Sequence, residues 1–577
     1  MQSIRTHLRF LPSLMISSLF ISMITSCAAP LSSDSDRRDA NTLRLLYWQA
    51  PTILNPHLST GFKDLDAARI VYEPLASYDV NDNLVLFLAA EVPTQENGGL
   101  SPDGKSVTWK LKPDVRWSDG EPFTAHDVVF TFQLIQNPDV GTTSAQHYSN
   151  VDTVEALDDH TVKITFKQPT PNWSTPFTGQ NGLILPSHIF APYNSSKIRE
   201  APANQIPIGT GPYQVTEFKP GDIVIYEKNP LYWDQDKPFF QRVELKGGGD
   251  ATSAARAVLQ TGDADYAYNL QVEAPILKQL EAGGKGKVSA NFSPYVEQIL
   301  LNFTDPNKAT ADGERSSTQF PHPFFTDIKV RQAFSLAIDR ETIVNQLYGV
   351  SGKVTGQLLV LPKQFKSDKI IPEFNLEKAA TLLDEAGWKD TNGNRIRDKN
   401  GIEMKVLFQT SVNPLRQKTQ EIIKQSLISL GVEVELKSVD AGVFFSGDPA
   451  NFDTLNHFYA DLQMLTTGNT TPDPAPHKKW WTCDEISSKA NNWQKSNYSR
   501  YCNPAYDRLW QQAVVELDLE KRANLFKQMD ELLAQDFAVI PIVDRATTEG
   551  ISNRLQGVVF SPWDANTWNI KDWQLSQ

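Results

Sequence analysis

The residues that could carry chemistry are scattered singly along this sequence. Its three cysteines, Cys27, Cys483 and Cys502, give no zinc-ligand spacing, and its nine histidines form no H-E-x-x-H pair. The segment from Gly349 to Gly352 (GVSG) lacks the G-x-S-x-G geometry of a hydrolase nucleophile. The segment from Gly283 to Ser289 (GGKGKVS) lacks the spacing of a phosphate-binding loop. These patterns favour a protein that is not an enzyme and that uses no cofactor or metal.

One loop has the residue types of a calcium site. Asp390 to Gly401 reads DTNGNRIRDKNG, with carboxylate or amide side chains at positions 1, 3, 5 and 9. Arg395 stands at position 6, where the turn needs glycine, and Gly401 stands at position 12, where a bidentate glutamate belongs. A solvated hairpin turn is therefore favoured, and calcium binding stays open as the alternative.

The N-terminus indicates export. Arg5 and Arg9 precede an apolar run over 10–24, which is too short to span a bilayer as a helix and is typical of a secretory signal. The run ends in ITSC (24–27), which resembles the lipobox of bacterial lipoproteins, where the signal is cut before an acylated cysteine. We expect a signal peptide over 1–26, lipidation at Cys27 and a flexible tether over 27–41. A plain signal peptide is the alternative.

The other two cysteines then lie outside the cytoplasm. A loop rich in Trp, Asn and Ser separates Cys483 from Cys502. An oxidising compartment favours a disulfide between them, which would stabilise the fold by about 3 kcal/mol by restricting the unfolded chain. Two separate buried thiols, or a catalytic thiol, are the alternatives.

Composition and patterning predict a folded body of mixed α/β structure. With 577 residues, a formal charge of −13 and 40% hydrophobic residues, the chain is globular and too acidic for a general nucleic-acid binder. Alternating apolar and polar residues predict strands over 107–111, 161–167 and 432–437. Apolar residues three and four apart predict helices over 330–338 and 423–430.

A series of longer strings runs through residues 42–570. The strings are, in order, LNPH (54–57), VYEPL (71–75), LSPDG (100–104), WSDGEPFTAHDVVF (117–130), LPSHIF (185–190), GTGPY (209–213), NPLYW (229–233), DIKVRQA (327–333), AIDR (337–340), PDP (472–474) and NPAYD (503–507). Together they resemble one family, the extracytoplasmic solute-binding proteins of ABC importers, in their large oligopeptide, dipeptide and nickel class (family 5).

The resemblance implies an architecture. It predicts an α/β, bilobal body of the periplasmic-binding-protein type II kind, with an additional α+β domain inserted in lobe one. The expected parts are lobe one over 42–80, 205–301 and 545–577, the extra domain over 81–204, and lobe two over 302–544. The chain is expected to cross between the lobes near 301–303 and 540–542, and the lobes to close around ligand by hinge motion.

The resemblance also implies a function. Such a protein captures a solute, by default an oligopeptide, between its lobes and delivers it to the permease subunits of an ABC transporter. We expect a monomer that is lipid-anchored to a bacterial membrane outside the cytoplasm, in the periplasm where two membranes exist. A sugar, an opine or a metal chelate is an alternative ligand. An extracytoplasmic hydrolase, or a ligand sensor or adhesion protein on the same fold, is an alternative function.

The ligand cleft is expected where strand ends face the other lobe. The expected ligand-binding residues are Trp48, Gln49, Tyr72, Tyr295, Gln298, Thr466, Thr467, Gly468 and Asn469. Peptide-binding members of the family place an aspartate just before the Pro-Asp-Pro-like motif, and Thr470 stands at that position here. A hydroxyl makes no charge-assisted bond to an ammonium group, so strict recognition of a free N-terminus is not expected. Asp461 and Asp473 are the candidate substitutes.

Overall fold

The computed structural model describes residues 39–59, 61–445 and 449–576. The predicted signal peptide, Cys27 and most of the predicted tether lie outside the described residues. From Asn41 onward the chain forms one compact unit. Among the described residues, no helix has both the length and the apolar character needed to cross a membrane.

The elements alternate between strands and helices along the whole chain. The strands are β1 (Thr42–Tyr47), β2 (Ala76–Tyr78), β3 (Leu84–Leu86), β4 (Ser106–Lys110), β5 (Val151–Asp158), β6 (Thr161–Phe166), β7 (Tyr213–Lys219), β8 (Ile223–Lys228), β9 (Arg242–Gly247), β10 (Tyr266–Ala267), β11 (Gly286–Leu301), β12 (Gly352–Val354), β13 (Asp398–Lys399), β14 (Ile402–Glu403), β15 (Lys405–Ser411), β16 (Glu433–Val439), β17 (Leu462–Gly468), β18 (Val539–Ser552), β19 (Leu555–Gln556) and β20 (Gln574–Leu575). The helices are α1 (Phe62–Arg69), α2 (Ala125–Gln136), α3 (Ser187–Phe190), α4 (Ala251–Arg256), α5 (Ala274–Glu281), α6 (Ile328–Leu336), α7 (Arg340–Ile343), α8 (Leu376–Glu385), α9 (Pro414–Ser429), α10 (Ala441–Phe444), α11 (Ala475–Lys478), α12 (Pro504–Ala513) and α13 (Leu519–Gln535). Strands β4, β6 and β16 and helices α6 and α9 confirm the elements predicted from periodicity.

One mixed sheet of 11 strands runs through the body. Its order is β16-β15-β17-β11-β18-β10-β1-β9-β8-β7, and β12 also pairs with β18. Parallel pairs such as β1 with β9 and β15 with β16 lie toward the two ends of the sheet. The long antiparallel strands β11 and β18 lie in the middle, and they join the two halves.

The pairing of β11 with β18 breaks where these strands pass between the halves. Residues 286–292 of β11 pair with 546–552 of β18, and the register shifts between Phe292 and Val296. Before the break β18 pairs with β10, and after it β11 pairs with β17 as far as Leu301. Because a bulge bends a strand locally, β11 and β18 bend relative to each other at this break.

Each half of the sheet has its own hydrophobic core. The half with β15 and β17 buries Phe325 and Trp388 under its helices, and the half with β1 and β9 buries Tyr47, Tyr266 and Trp573. Two cores on either side of shared strands form a bilobal body.

A third core lies around the antiparallel sheet β4-β6-β5 and helix α2. The backbone N–H of Thr124 donates to the carboxylate of Asp127 at 3.0 Å, as part of a capping box that starts α2. Trp109 is fully buried in this core together with Tyr72 and Leu75, which precede the expected extra domain. The expected extra domain therefore shares this core with residues expected in lobe one.

The structure describes both the predicted disulfide and the predicted turn. The structure joins Cys483 and Cys502 by a disulfide, with Cα atoms 4.7 Å apart. Strands β13 and β14 pair as a hairpin whose turn is the end of the segment 390–401. The Asp390 carboxylate accepts from the backbone N–H groups of Gly393 and Arg395 in its own loop. In the part of the chain that the structure describes, no group of three or more His, Cys, Asp or Glu is placed to hold a metal ion.

Candidate functional site

A cavity of about 720 Å³, here called the central cavity, lies where the two halves of the main sheet meet. Its volume is within the range of about 300–1,000 Å³ that is typical of small-molecule sites. Lobe one contributes residues after β1, on α1, before and at the start of α4 and after β10, and lobe two contributes the start of α9 and the end of β17. Strands β11 and β18 contribute Ser293, Tyr295, Arg545 and Glu549. The central cavity is therefore built from both lobes and from the strands that connect them.

Four of the predicted ligand-binding residues line the central cavity: Trp48, Gln49, Tyr295 and Thr466. Trp48 and Gln49 directly follow β1, and the indole of Trp48 donates to the carbonyl of Asn269 at 3.0 Å. Tyr295 lies at the break in β11, with its ring edge-on to that of Phe62 at 5.6 Å. These four residues are predicted because they lie at or near strand ends that face the other lobe, and the fold places all four in the lining of one cavity.

Three further predicted residues lie outside this lining. Tyr72 is fully buried in the core around β4–β6. The amide of Gln298 donates to the hydroxyl of Thr467 at 2.5 Å, and both residues line a separate, small cavity beside Trp480 and Trp481.

The last two predicted residues pack against neighbouring backbone. A Cβ added at Gly468 would lie 1.8 Å from the carbonyl oxygen of Pro294, so the close approach of β17 to β11 requires glycine there. The amide of Asn469 donates to the carbonyl of Leu361 at 3.2 Å, and its side chain is buried. Both positions therefore have a structural role beside the central cavity.

Arg416 is a cavity residue that the sequence analysis does not identify. Its guanidinium donates to Glu297 at 2.7 Å, to the hydroxyl of Ser411 at 2.8 Å and to that of Thr466 at 2.9 Å. Asn413-Pro414 begins α9 as cap and first residue, which places Arg416 in the first turn. That start signal was readable from the sequence, whereas the partner Glu297 on β11 was not.

Arg545 of β18 is the second missed cation. One of its nitrogens lies 3.2 Å from the side-chain oxygen of Asn269, and another lies 3.4 Å from the hydroxyl of Thr466. Among the described residues, no carboxylate lies within ion-pair distance of Arg545. Its positive charge is therefore held between the lobes by neutral partners.

Two buried carboxylates also line the central cavity. Asp66 accepts from the Tyr47 hydroxyl at 2.9 Å and from the backbone N–H of Asn566 at 2.8 Å. Glu549 accepts from the Asn291 amide at 3.0 Å. Burial raises the pKa of Asp66 to about 7 and the pKa of Glu549 to about 8, and the charge of Asp66 adds to the rise at Glu549. In a chain with 68 Asp and Glu residues, sequence position alone does not distinguish these two.

Neither candidate substitute for the family aspartate is free. Asp461 accepts from the ring of His322 at 3.0 Å and from the backbone N–H of Leu407 at 2.7 Å. Asp473 accepts two bonds from the guanidinium of Arg522, at 2.8 and 2.7 Å. Asp461 is therefore held by hydrogen bonds and Asp473 by an ion pair inside lobe two, and the idea that either replaces the missing aspartate is not supported.

A cavity lined from both lobes of such a body defines a binding protein of the type II periplasmic kind. The chain matches the family model "Bacterial extracellular solute-binding proteins, family 5 Middle" over residues 86–488. It is 26% identical over 590 residues to the oligopeptide-binding protein AppA of Bacillus subtilis (strain 168), with 99% of each chain covered. It is 26% identical over 386 residues to the nickel-binding periplasmic protein of Escherichia coli (strain K12), covering 66% of this chain and 68% of that protein.

The fold comparison agrees. The structure of AppA from Bacillus subtilis in complex with a nonapeptide has a TM-score of 0.75 and 26% identity, covering 93% of this chain and 99% of that chain. The chain belongs to the family 5 extracellular solute-binding proteins of bacteria, the binding components of ABC importers.

Proposed function

We propose that this protein captures a small solute, by default an oligopeptide, in the central cavity and delivers it unchanged to the permease of an ABC importer. The observation that carries the proposal is the lining of the central cavity, which both lobes and the two connecting strands supply. A ligand that contacts both lobes favours the closed form, because only contacts that differ between two states shift their equilibrium.

The peptide assignment is supported by the relative AppA, whose name and solved complex both refer to peptide. Another relative is named for nickel, so the family resemblance alone leaves the ligand class broader than peptides. Thr470 stands at the position of the family aspartate, Asp461 is held by hydrogen bonds from His322 and Leu407, and Asp473 is paired with Arg522. An amino group in the ligand is therefore not recognised at this end of lobe two.

We assign the lobes as the sequence analysis places them, with the hinge moved to the break at 293–295 of β11 and to 544–546 of β18. Trp48, Gln49, Tyr295 and Thr466 are the proposed ligand contacts. The other predicted positions stay predictions. A tenfold weaker affinity of Asn469→Ala at unchanged stability would make that residue a contact, and an unchanged affinity would remove it.

The lipid anchor is proposed from the lipobox alone. Acylation of Cys27 would hold the protein at the outer face of a bacterial membrane, where it meets the permease. In detergent phase separation, the wild type is expected in the detergent phase and Cys27→Ser in the aqueous phase. Equal partition of the two proteins into the aqueous phase would contradict the anchor.

Native mass spectrometry of the purified protein tests the function directly. A bound species of defined mass is expected, and it should be recovered unchanged after release. Adding the released species back should raise the melting temperature, since a ligand at 100 times its Kd contributes about 2.7 kcal/mol. Conversion of that species by the protein would favour an extracytoplasmic hydrolase instead.

A further inference from the structure

Six charged side chains line the central cavity, and part of this charge is neutralised within the protein. The six are Asp66, Asp250, Arg416, Arg545, Glu549 and Asp564. Arg416 pairs with Glu297 at 2.7 Å, and Asp564 pairs with Arg69 at 3.3 Å. Asp250 lies at the exposed edge and accepts from backbone N–H groups at the start of α4. Two buried carboxylates and one guanidinium remain without an opposite charge.

The two carboxylates are Asp66 and Glu549. Among the described residues, no Lys, Arg or His nitrogen lies within ion-pair distance of either one. Glu549 is fully buried, yet its Oε1 has no hydrogen-bond partner in the described part of the chain. The buried hydroxyl of Ser293 also has none, and it lines the same cavity. Buried polar atoms are almost always satisfied in folded proteins, so these two point to a group supplied by a ligand.

Apart from Arg545, the titratable groups around the pair are tyrosines and one further carboxylate. The Tyr47 hydroxyl donates to Asp66 at 2.9 Å, and Tyr266 packs against Tyr47 with ring centroids 6.3 Å apart. Tyr268, Tyr295 and Asp564 line the same cavity. Arg545 is the cation that lowers the pKa of Glu549, against the stronger effect of burial. A ligand cation would stabilise both carboxylates in their charged form.

Aromatic rings complete the site. Tyr268 stacks on Tyr47 with ring centroids 4.6 Å apart, and Phe62 and Tyr295 form an edge-on pair. Carboxylates beside aromatic faces suit an organic ammonium group, which gains both charge-assisted hydrogen bonds and cation–π contacts. A metal ion would require more ligands than this carboxylate pair supplies.

We propose that Asp66 and Glu549, with the hydroxyl of Ser293, form a subsite on the lobe-one side of the central cavity that binds the ammonium group of the transported solute. Thr470 does not line the central cavity, so the subsite recognises an amino group with residues of a different lobe from the one that carries the position of the family aspartate. This inference rests on the proposed function, because it assigns the ligand chemistry of the same cavity.

Affinity-selection mass spectrometry with two peptide pools tests the subsite. One pool holds randomised tri- to pentapeptides with free N-termini, and the other holds N-acetylated peptides without Lys, Arg or His. The wild type is expected to retain members of the first pool at least tenfold better than members of the second. Glu549→Gln and Asp66→Asn are each expected to lower the affinity for the retained peptides at least tenfold, because each substitution removes one negative charge from the subsite.

Glu73→Gln is the matched control. Glu73 is also a buried carboxylate, but it accepts from Tyr232 and Trp233 in the core, outside the central cavity. Its substitution is expected to leave peptide affinity within about twofold, measured on protein with a cooperative melting transition. If both pools bind the wild type equally, the subsite is wrong and the proposed function stands. If neither pool nor a cell-extract solute binds, both are wrong.

Proton release provides a second readout that a purely structural role would not change. Because the pKa values of Asp66 and Glu549 are raised to about 7 and 8, binding of an ammonium group at pH 7 should release about one proton. Titration calorimetry in phosphate and in Tris measures this release as a difference in observed enthalpy. The difference is expected to shrink in Glu549→Gln. An enthalpy that is the same in both buffers for the wild type would overturn the proposal.

Discussion

Single residues near the end of β17 show how a sequence string can combine packing and binding. Thr466 donates to Glu297 at 2.6 Å and lines the central cavity, whereas Gly468 two residues later is held against Pro294. Successive side chains of a strand point to opposite faces, so Thr467, between these two, lies on the other face and accepts from the Gln298 amide away from the central cavity. The sequence argument from strand ends therefore identifies the segment at the end of β17, and the structure shows which of its residues line the cavity and which pack against backbone.

At Gly468, substitution by alanine is expected to destabilise the protein. The added Cβ would lie 1.8 Å from the Pro294 carbonyl oxygen, which is backbone and must shift with its strand. Overpacking of this kind costs about 1–3 kcal/mol. Urea denaturation measures the loss. Gly61→Ala is the control, since its Cβ would meet neighbours at 3.4 Å or more, and an equal loss in both variants would contradict the explanation.

Pairs of elements on opposite sides of the hinge supply contacts that report on closure. Lys418 of α9 lies 2.7 Å from Glu273, which directly precedes α5. The amide of Asn413 also donates to the side chain of Gln271. With the hinge at the proposed position, the break in β11 and β18, these contacts join lobe two to lobe one.

Reversing one charge of this ion pair is expected to weaken ligand binding. Neither Lys418 nor Glu273 lines the central cavity, so neither contacts the ligand. Glu273→Lys lowers the affinity indirectly, because the new lysine repels Lys418 when the lobes are closed. The expected loss is about two- to fivefold at low salt, because exposed ion pairs contribute about 0–1 kcal/mol and are screened. Titration calorimetry at 20 and 500 mM salt measures it. The double variant Glu273→Lys/Lys418→Glu should restore affinity, and failure to do so would contradict a role in closure.

The disulfide between Cys483 and Cys502 closes a loop that packs beside α12 and the small cavity near Trp480. Replacing both cysteines by serine is expected to lower the free energy of unfolding by about 2–4 kcal/mol, because the unfolded chain regains freedom. Urea denaturation with and without reductant measures the effect. Reductant should lower the stability of the wild type but not that of the double variant. A wild type indifferent to reductant under unfolding conditions would contradict a stabilising disulfide.

At the scale of the whole molecule, the bilobal fold follows from strings such as 117–130 and 327–333, because they occur in family order. Local patterns also predict β4, β6, β16 and α9. The continuous 11-stranded sheet was not predictable, since β11 and β18 pair residues that lie hundreds of positions apart. The same holds for Asp66 and Glu549, which only tertiary structure brings to one cavity. The sequence therefore predicts elements and their order better than contacts across the hinge.

The pH dependence of stability follows from the buried groups of the whole body. A carboxyl with a raised pKa binds more protons in the folded than in the unfolded state, so stability falls as pH rises across that interval. For Asp66 and Glu549 the interval runs from about 4 in the unfolded chain to about 7 and 8 in the folded protein. Burial lowers the pKa of His57 and His147 to about 4 and that of His477 to about 3, so these groups destabilise the fold as pH falls below about 6.5.

Comparison of the wild type with Glu549→Gln separates these opposing effects, since the histidines contribute equally to both proteins. Without ligand, the stability of the wild type relative to the variant should fall by up to about 1.4 kcal/mol per pH unit between pH 5 and 8. Urea denaturation at pH 5, 6, 7 and 8 measures the difference. A bound ammonium solute should reverse the trend, with wild-type affinity rising over the same interval as the carboxylates ionise. A stability difference that stays constant with pH would show that Glu549 does not titrate there.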